Sequence, residues 1–339
     1  MDISKNDSKM LKGVAILSLL MLHLFCRKTN LPYTPLLWVG EIPFVYYFGL
    51  FGDICVPIFC FISGYAHYRQ SSAKTKTRER YLHLLRFFIT FWMISGFFSI
   101  LGLLMHNPTI PGSFGEFLLN CLTIKNSYNG AWWYANTYLL FVLLQPLSYR
   151  FVKKCPTWLV LAFGFVFYTV GYGIRIWGWG AFDEPVLSWS ITHIGLLGTS
   201  YFPYVIGMLF CKKQVVSTLR RALGSCKHVY IGEAVIFAGM IIMHGIVQSL
   251  YVSVFTAIVT VCLLCACPMP KRLYAVLGYL GNHSANIWLT HMFFYLPPFD
   301  GLVFTAEYPV PIFFFLLLLS LASSYAIDLL CRPILKHVR

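Results

Sequence analysis

The chain runs to 339 residues, 58% apolar and 18% aromatic, with only 11% charged and a formal net charge of +14. Soluble domains carry about 25% charged residues, so this composition excludes an ordinary soluble domain and points to an all-α integral membrane protein whose partner is the lipid bilayer. The basic residues are scattered over separate loops with no binding motif, which sets nucleic acid aside as a partner.

Repeated apolar runs predict ten transmembrane helices, centred on residues 11–25, 44–66, 84–105, 132–149, 157–174, 193–210, 230–246, 249–267, 277–296 and 309–330. The first is short and follows a basic stretch, the outline of a signal peptide. His23, Leu24 and Phe25 are too bulky for a small-residue cleavage site, however, and Leu24-Phe25-Cys26 makes a poor lipoprotein signal. With ten spans, 22 of the 26 Lys and Arg residues fall on one side. They are Lys5, Lys9 and Lys12, then those from Arg69 to Arg86, then Arg150, Lys153 and Lys154. Those from Lys212 to Lys227, the pair Lys271 and Arg272, and finally Arg332, Lys336 and Arg339 join them. The other side receives Arg27, Lys28, Lys125 and Arg175. The positive-inside rule then places both termini in the cytoplasm of a cell-membrane protein, with the polar loops 106–131 and 175–192 outside.

A single membrane-embedded domain over residues 1–339 is expected, with no appended soluble domain. The eleven cysteines show no paired spacing. Cys55, Cys60, Cys262, Cys265 and Cys267 lie within apolar spans, where cysteine packs as a small hydrophobe. Cys265-Ala266-Cys267 is not a metal-ligand spacing, and no metal site is expected.

The first span carries Lys12 and His23. Eleven residues of helix make about three turns, so both side chains share a face, roughly 16 Å apart along the axis. An ionisable residue at intramembrane depth is expensive to keep and usually marks function. Lys12 alone would read as an interfacial lysine extending to the head groups, and His23 alone as a histidine satisfied by a backbone carbonyl. Together they suit a substrate with an anionic end at one membrane face and a reacting end deeper in. An imidazole with an ordinary pKa near 6.5 can serve there as a general base.

The second span ends in Val56-Pro57-Ile58-Phe59-Cys60-Phe61-Ile62-Ser63-Gly64-Tyr65. Ser63-Gly64 permits either close helix packing or, after a proline, backbone groups open to a ligand. Asp53, at the outer end, is either a solvated interfacial acid or the partner of a histidine. In the basic run that follows, Arg86 stands apart because it begins an apolar helix and can reach phosphates at the membrane surface. Trp132-Trp133-Tyr134-Ala135-Asn136 opens the fourth span as an interfacial aromatic belt or as a platform for sugar rings. In the ninth span, Ser284, Trp288 and His291 recur at i, i+4 and i+7 on one helical face. His291 is expected nearer the outer surface than His23. Glu233 and Asp328 are further intramembrane acids.

Taken in order, these segments resemble the type-3 membrane acyltransferases, whose members O-acetylate bacterial surface sugars. Lys12-x10-His23 is similar to that family's arginine-or-lysine, ten residues, histidine motif. The segments from Val56 to Tyr65, Trp132-Trp133-Tyr134, Tyr201-Phe202-Pro203-Tyr204-Val205-Ile206-Gly207-Met208 and Leu280 to His291 match in the same order, over nearly the whole chain. One departure is His83-x-x-Arg86, where the family often has Arg-x-x-Arg, so only Arg86 carries over.

The resemblance implies a ten-helix core, an acyl-CoA donor, usually acetyl-CoA, and a sugar or polysaccharide acceptor. No cofactor would be bound permanently. CoA phosphates would meet Lys12 and Arg86, the thioester would reach His23, and the sugar would enter past Trp133 and Tyr134. His23 and His291 would be the catalytic pair of residues, and Asp53, Ser63, Ser284 and Trp288 would contribute to substrate binding. The rival expectation is a multi-span transporter or flippase that moves a sugar or acyl group without chemistry. The hydropathy shows no inverted repeat to favour it.

Overall fold

The protein is described by a computed structural model covering residues 2–73, 77–179, 182–223 and 229–338. Lys74, Lys76, Lys227 and Arg339, which contribute to the charge asymmetry, lie outside the described residues. A long helix, α1 (Lys5–Phe25), is followed by a two-stranded antiparallel hairpin, β1 (Trp38–Val39) with β2 (Ile42–Pro43). Next come α2 (Phe44–Phe51), a 3-10 turn over Gly52–Ile54, and α3 (Cys55–Ser72). Then follow α4 (Thr77–Leu104), α5 (Phe114–Cys121), α6 (Trp133–Lys154), α7 (Thr157–Trp177) and α8 (Pro185–Lys213). The chain ends with α9 (Val215–Leu223), α10 (Val229–Val247), α11 (Ser253–Ala266), α12 (Lys271–Thr290) and α13 (Pro309–His337).

A helix stands at each of the ten expected positions, but they are not equally apolar. Among the described residues, seven helices are long and apolar enough to cross a membrane: α1, the continuous Phe44–Ser72 run, α4, α7, α8, the Tyr230–Val247 part of α10, and α13. The other three fall short for physical reasons. With 14 residues, α11 reaches only about 21 Å, less than a hydrocarbon core of about 30 Å. Polar residues interrupt the other two: Asn136, Thr137, Gln145 and Ser148 in α6, and Asn282, His283, Ser284 and Asn286 in α12.

Local chemistry sets several helix ends. Gly178 takes a left-handed conformation (φ 71°) after α7, the usual helix stop. Glu184 caps α8 by accepting from the backbone N–H groups of Val186 and Leu187, and Pro185 occupies the first turn, where its missing N–H costs nothing.

The chain divides into two compact units. The first comprises residues 1–15, 53–75 and 140–281. Its centre is α8, packed against α3 and α7. Gly64 lets α3 approach closely, since a Cβ there would run into the Tyr204 carbonyl. Close backbone approach at small residues is how helices associate in hydrocarbon, where the hydrophobic effect supplies no force between them. Gly64 therefore packs, and the Ser63 hydroxyl donates to the Phe59 carbonyl at 2.8 Å. Beside it, Phe141 stacks on Tyr204 (4.2 Å), and the Tyr204 hydroxyl lies 2.9 Å from His67 Nδ1.

The second unit comprises residues 16–52, 76–139 and 282–339. Its core is aromatic. Phe98 stacks on Phe293 at 3.9 Å, Phe91 meets Trp132 edge to face at 4.7 Å, and Trp132 in turn meets Phe293. Such pairs contribute about 0.5–1.5 kcal/mol each beyond area burial. Here they fix the loop before α6 against the segment that follows α12.

Candidate active site

The site in the second unit is built around the end of α12. The last carbonyls of a helix have no partner within it, and here side chains supply the partners. The Leu289 carbonyl accepts from Asn129 Nδ2 (3.1 Å) and from Trp132 Nε1 (3.0 Å). The Trp288 carbonyl lies 2.8 Å from His291 Nδ1. These contacts stop the helix at Thr290, and His291 falls in a 3-10 turn, His291–Phe294. This corrects the expectation that Ser284, Trp288 and His291 share one helical face: Ser284 and Trp288 do, and His291 is turned off the helix.

His23 sits in the last turn of α1, close to that turn. The His23 and His291 rings meet edge to face, with centroids 5.0 Å apart. The two rings, expected on separate spans, therefore lie side by side. Gly52 makes room for the His23 segment, since a Cβ there would strike the Ser18 carbonyl and Leu22. The contact at the Trp288 carbonyl assigns the Nδ1 proton of His291, leaving Nε2 as the acceptor nitrogen. Nε2 is buried without a hydrogen-bond partner among the described residues.

Trp288 supports this arrangement more than it offers a surface. It is 9% exposed, donates its indole N–H to the Ala131 carbonyl (3.1 Å), stacks on Phe87 (6.0 Å), and receives Tyr134 edge to face at 5.7 Å. Tyr134 and Trp133 are partly exposed at the start of α6, while Ser284 is buried. Arg86 donates through Nε and Nη2 to the Val338 carbonyl at 3.2 and 2.8 Å, so its guanidinium holds the end of α13. Asp328 finds its partners in Asn286 Nδ2 (2.8 Å) and His283 (3.9 Å).

Lys12, Asp53 and Ser63 belong to the first unit. Lys12 is half-buried on α1, the helix that also carries His23. Asp53 is hydrogen-bonded to Ser253 and interacts with the Arg175 charge. Its partners are thus a hydroxyl and a cation, where the sequence suggested a histidine or solvent.

Two contributors escaped the sequence reading of the site, Asn129 and Trp132. Their signal was weak: an asparagine before Gly130, and a tryptophan inside an aromatic run, where Trp133 and Tyr134 drew the assignment.

Among the described residues, seven apolar helices of membrane length define a multi-pass membrane protein, and its second unit holds the paired His23 and His291 rings. The family described as an acyltransferase domain matches residues 6–329. The chain belongs to the acyltransferase 3 family. No curated protein and no solved structure matches it.

Proposed function

We propose that the protein is an O-acyltransferase that moves an acyl group, most simply acetyl, from cytoplasmic acyl-CoA to a hydroxyl of a cell-surface or exported sugar. The observation that carries this reading is the 5.0 Å contact between His23 and His291 in a chain of the acyltransferase 3 family. His23 takes the proton from the acceptor hydroxyl as its oxygen attacks the thioester carbonyl. The C–S bond breaks, the ester forms, and the proton ends on the CoA thiolate. His291, its Nδ1 engaged by the Trp288 carbonyl, orients the acceptor hydroxyl beside His23.

The donor's phosphates are assigned to Lys12 and Arg86 by their sequence positions, Arg86 exchanging its Val338 carbonyl for a phosphate. The acceptor is assigned to the outer face beside Trp133 and Tyr134. Ten spans in the cell membrane with both termini in the cytoplasm give the charge distribution this polarity requires.

Purified protein given labelled acetyl-CoA and a sugar acceptor tests the proposal. Release of free CoA with label in the sugar is the expected result. A protein that only transports sugar would leave the thioester intact, and that outcome would refute the proposal.

A further inference from the structure

Arg27 lies four residues after His23, just past the end of α1. In the ten-span arrangement it is one of the few outer-side cations, and topology alone gives it no task. The structure surrounds it with groups that have one property in common. The Tyr33 and Tyr295 hydroxyls and His291 Nε2 are all buried, and none has a hydrogen-bond partner among the described residues. The three residues are 6%, 6% and 0% exposed.

All three belong to the second unit. His291 contacts His23 and lies 6.2 Å from the Tyr295 ring. Tyr33 packs against Phe25 in the last turn of α1 at 5.3 Å. The Arg27 charge acts on His23, Tyr33 and Tyr295 alike. No carboxylate among the described residues pairs with Arg27.

Buried polar groups are nearly always paired, and leaving one dry costs about 1–3 kcal/mol. Two unpartnered phenols within reach of the unneutralised Arg27 charge, with the unpartnered His291 nitrogen next to Tyr295 and His23, call for a ligand that supplies acceptors and negative charge. Phenols donate, as does a guanidinium, and neither neutralises the other. Burial pushes the Tyr33 phenol up to about 12, so it remains a donor at any physiological pH. The remaining acceptor, His291 Nε2, suits a neutral hydroxyl next to the anion.

We propose that Arg27, Tyr33 and Tyr295 bind an anionic group of the acceptor, a carboxylate or phosphate, and so present a neighbouring hydroxyl to His23 and His291. The acceptor class is then an acidic sugar. This rests on the acceptor reading above and narrows it.

The test uses the full-length protein in detergent with four probes: a uronic acid glycoside, its uncharged carboxamide, a sugar phosphate and a neutral glycoside. Calorimetric binding and acetyl transfer are measured separately. At least one anionic probe should bind about 10–100-fold more tightly than the uncharged ones, the size of a charge-assisted contact. The comparison of carboxylate with phosphate identifies the anion. Arg27→Gln should remove the preference by weakening the anionic probe, Arg27→Lys should restore part of it, and Tyr33→Phe or Tyr295→Phe should each reduce it less.

Equal binding of charged and uncharged probes by the wild-type protein would overturn the proposal. So would an Arg27→Gln variant that lowers kcat equally on all acceptors with binding preference intact, since these groups would then serve the developing oxyanion. An Arg27-dependent preference for anions without any acetyl transfer would uphold the anion site and count against the transferase reading alone.

Discussion

His23 and His291, near opposite ends of the chain, meet ring to ring with centroids 5.0 Å apart. Groups in contact do not contribute independently. General-base catalysis contributes about 10²–10⁴-fold, so His23→Ala should lower kcat at saturating acceptor by that factor. His291→Ala should act more on the acceptor KM, and the double variant should be little worse than His23→Ala alone. Steady-state kinetics of the three variants check this. If His291→Ala abolishes turnover while His23→Ala keeps it, the two roles are exchanged.

Lys12 is a half-buried cation on the helix that ends with His23. Lys12→Ala should weaken acyl-CoA binding and leave the fold intact, while Lys12→Arg should keep much of the activity, because either cation can meet a phosphate with its own geometry. Direct titration with CoA measures the effect. Unchanged affinity in Lys12→Ala would remove the donor from this end of the helix.

Trp132 reaches the Leu289 carbonyl through its indole N–H. Trp132→Phe keeps most of the aromatic packing and deletes the donor, leaving that carbonyl to Asn129. A loss of about 0.5–1.5 kcal/mol in stability is expected, with a fall in activity as the His291 turn loosens. Thermal unfolding in detergent and acyl transfer are the measurements, and wild-type behaviour in both would show that Asn129 alone holds the helix end.

Orientation is tested by accessibility. In a background stripped of native cysteines, Thr109→Cys should react with an impermeant thiol reagent added outside, and Thr218→Cys should not. Both positions are exposed in the fold. Reaction at Thr218 alone, or at both, would contradict cytoplasmic termini and the ten-span count.

The membrane class, a helix at each of ten positions and the placement of Lys12 and His23 on one helix were legible in the residue order, because hydropathy and helical periodicity are short-range properties. The limits of that reading show at particular residues. Ser63-Gly64 admitted two meanings, and the close approach of Gly64 to the Tyr204 carbonyl became visible only in the fold. Asp53 had no visible partner until Arg175 and Ser253, far along the chain, were brought to it. Arg27 read only as an outer charge, and Tyr33 and Tyr295 drew no reading, because an unpartnered hydroxyl is a property of surroundings and not of sequence.

The sequence by itself determined that this is a helical membrane protein of the acyltransferase type. Tertiary structure alone decided that His23 and His291 touch, that His291 leaves its helix, and that Arg86 is engaged by the Val338 carbonyl. The physical reason is the range of the forces. A helix forms from contacts three or four residues apart, whereas the end of α12 is set by Asn129 and Trp132, which reach it from a distant loop. Where a helix stops and which ring it presents depend on those long-range partners, and no local pattern in the chain encodes them.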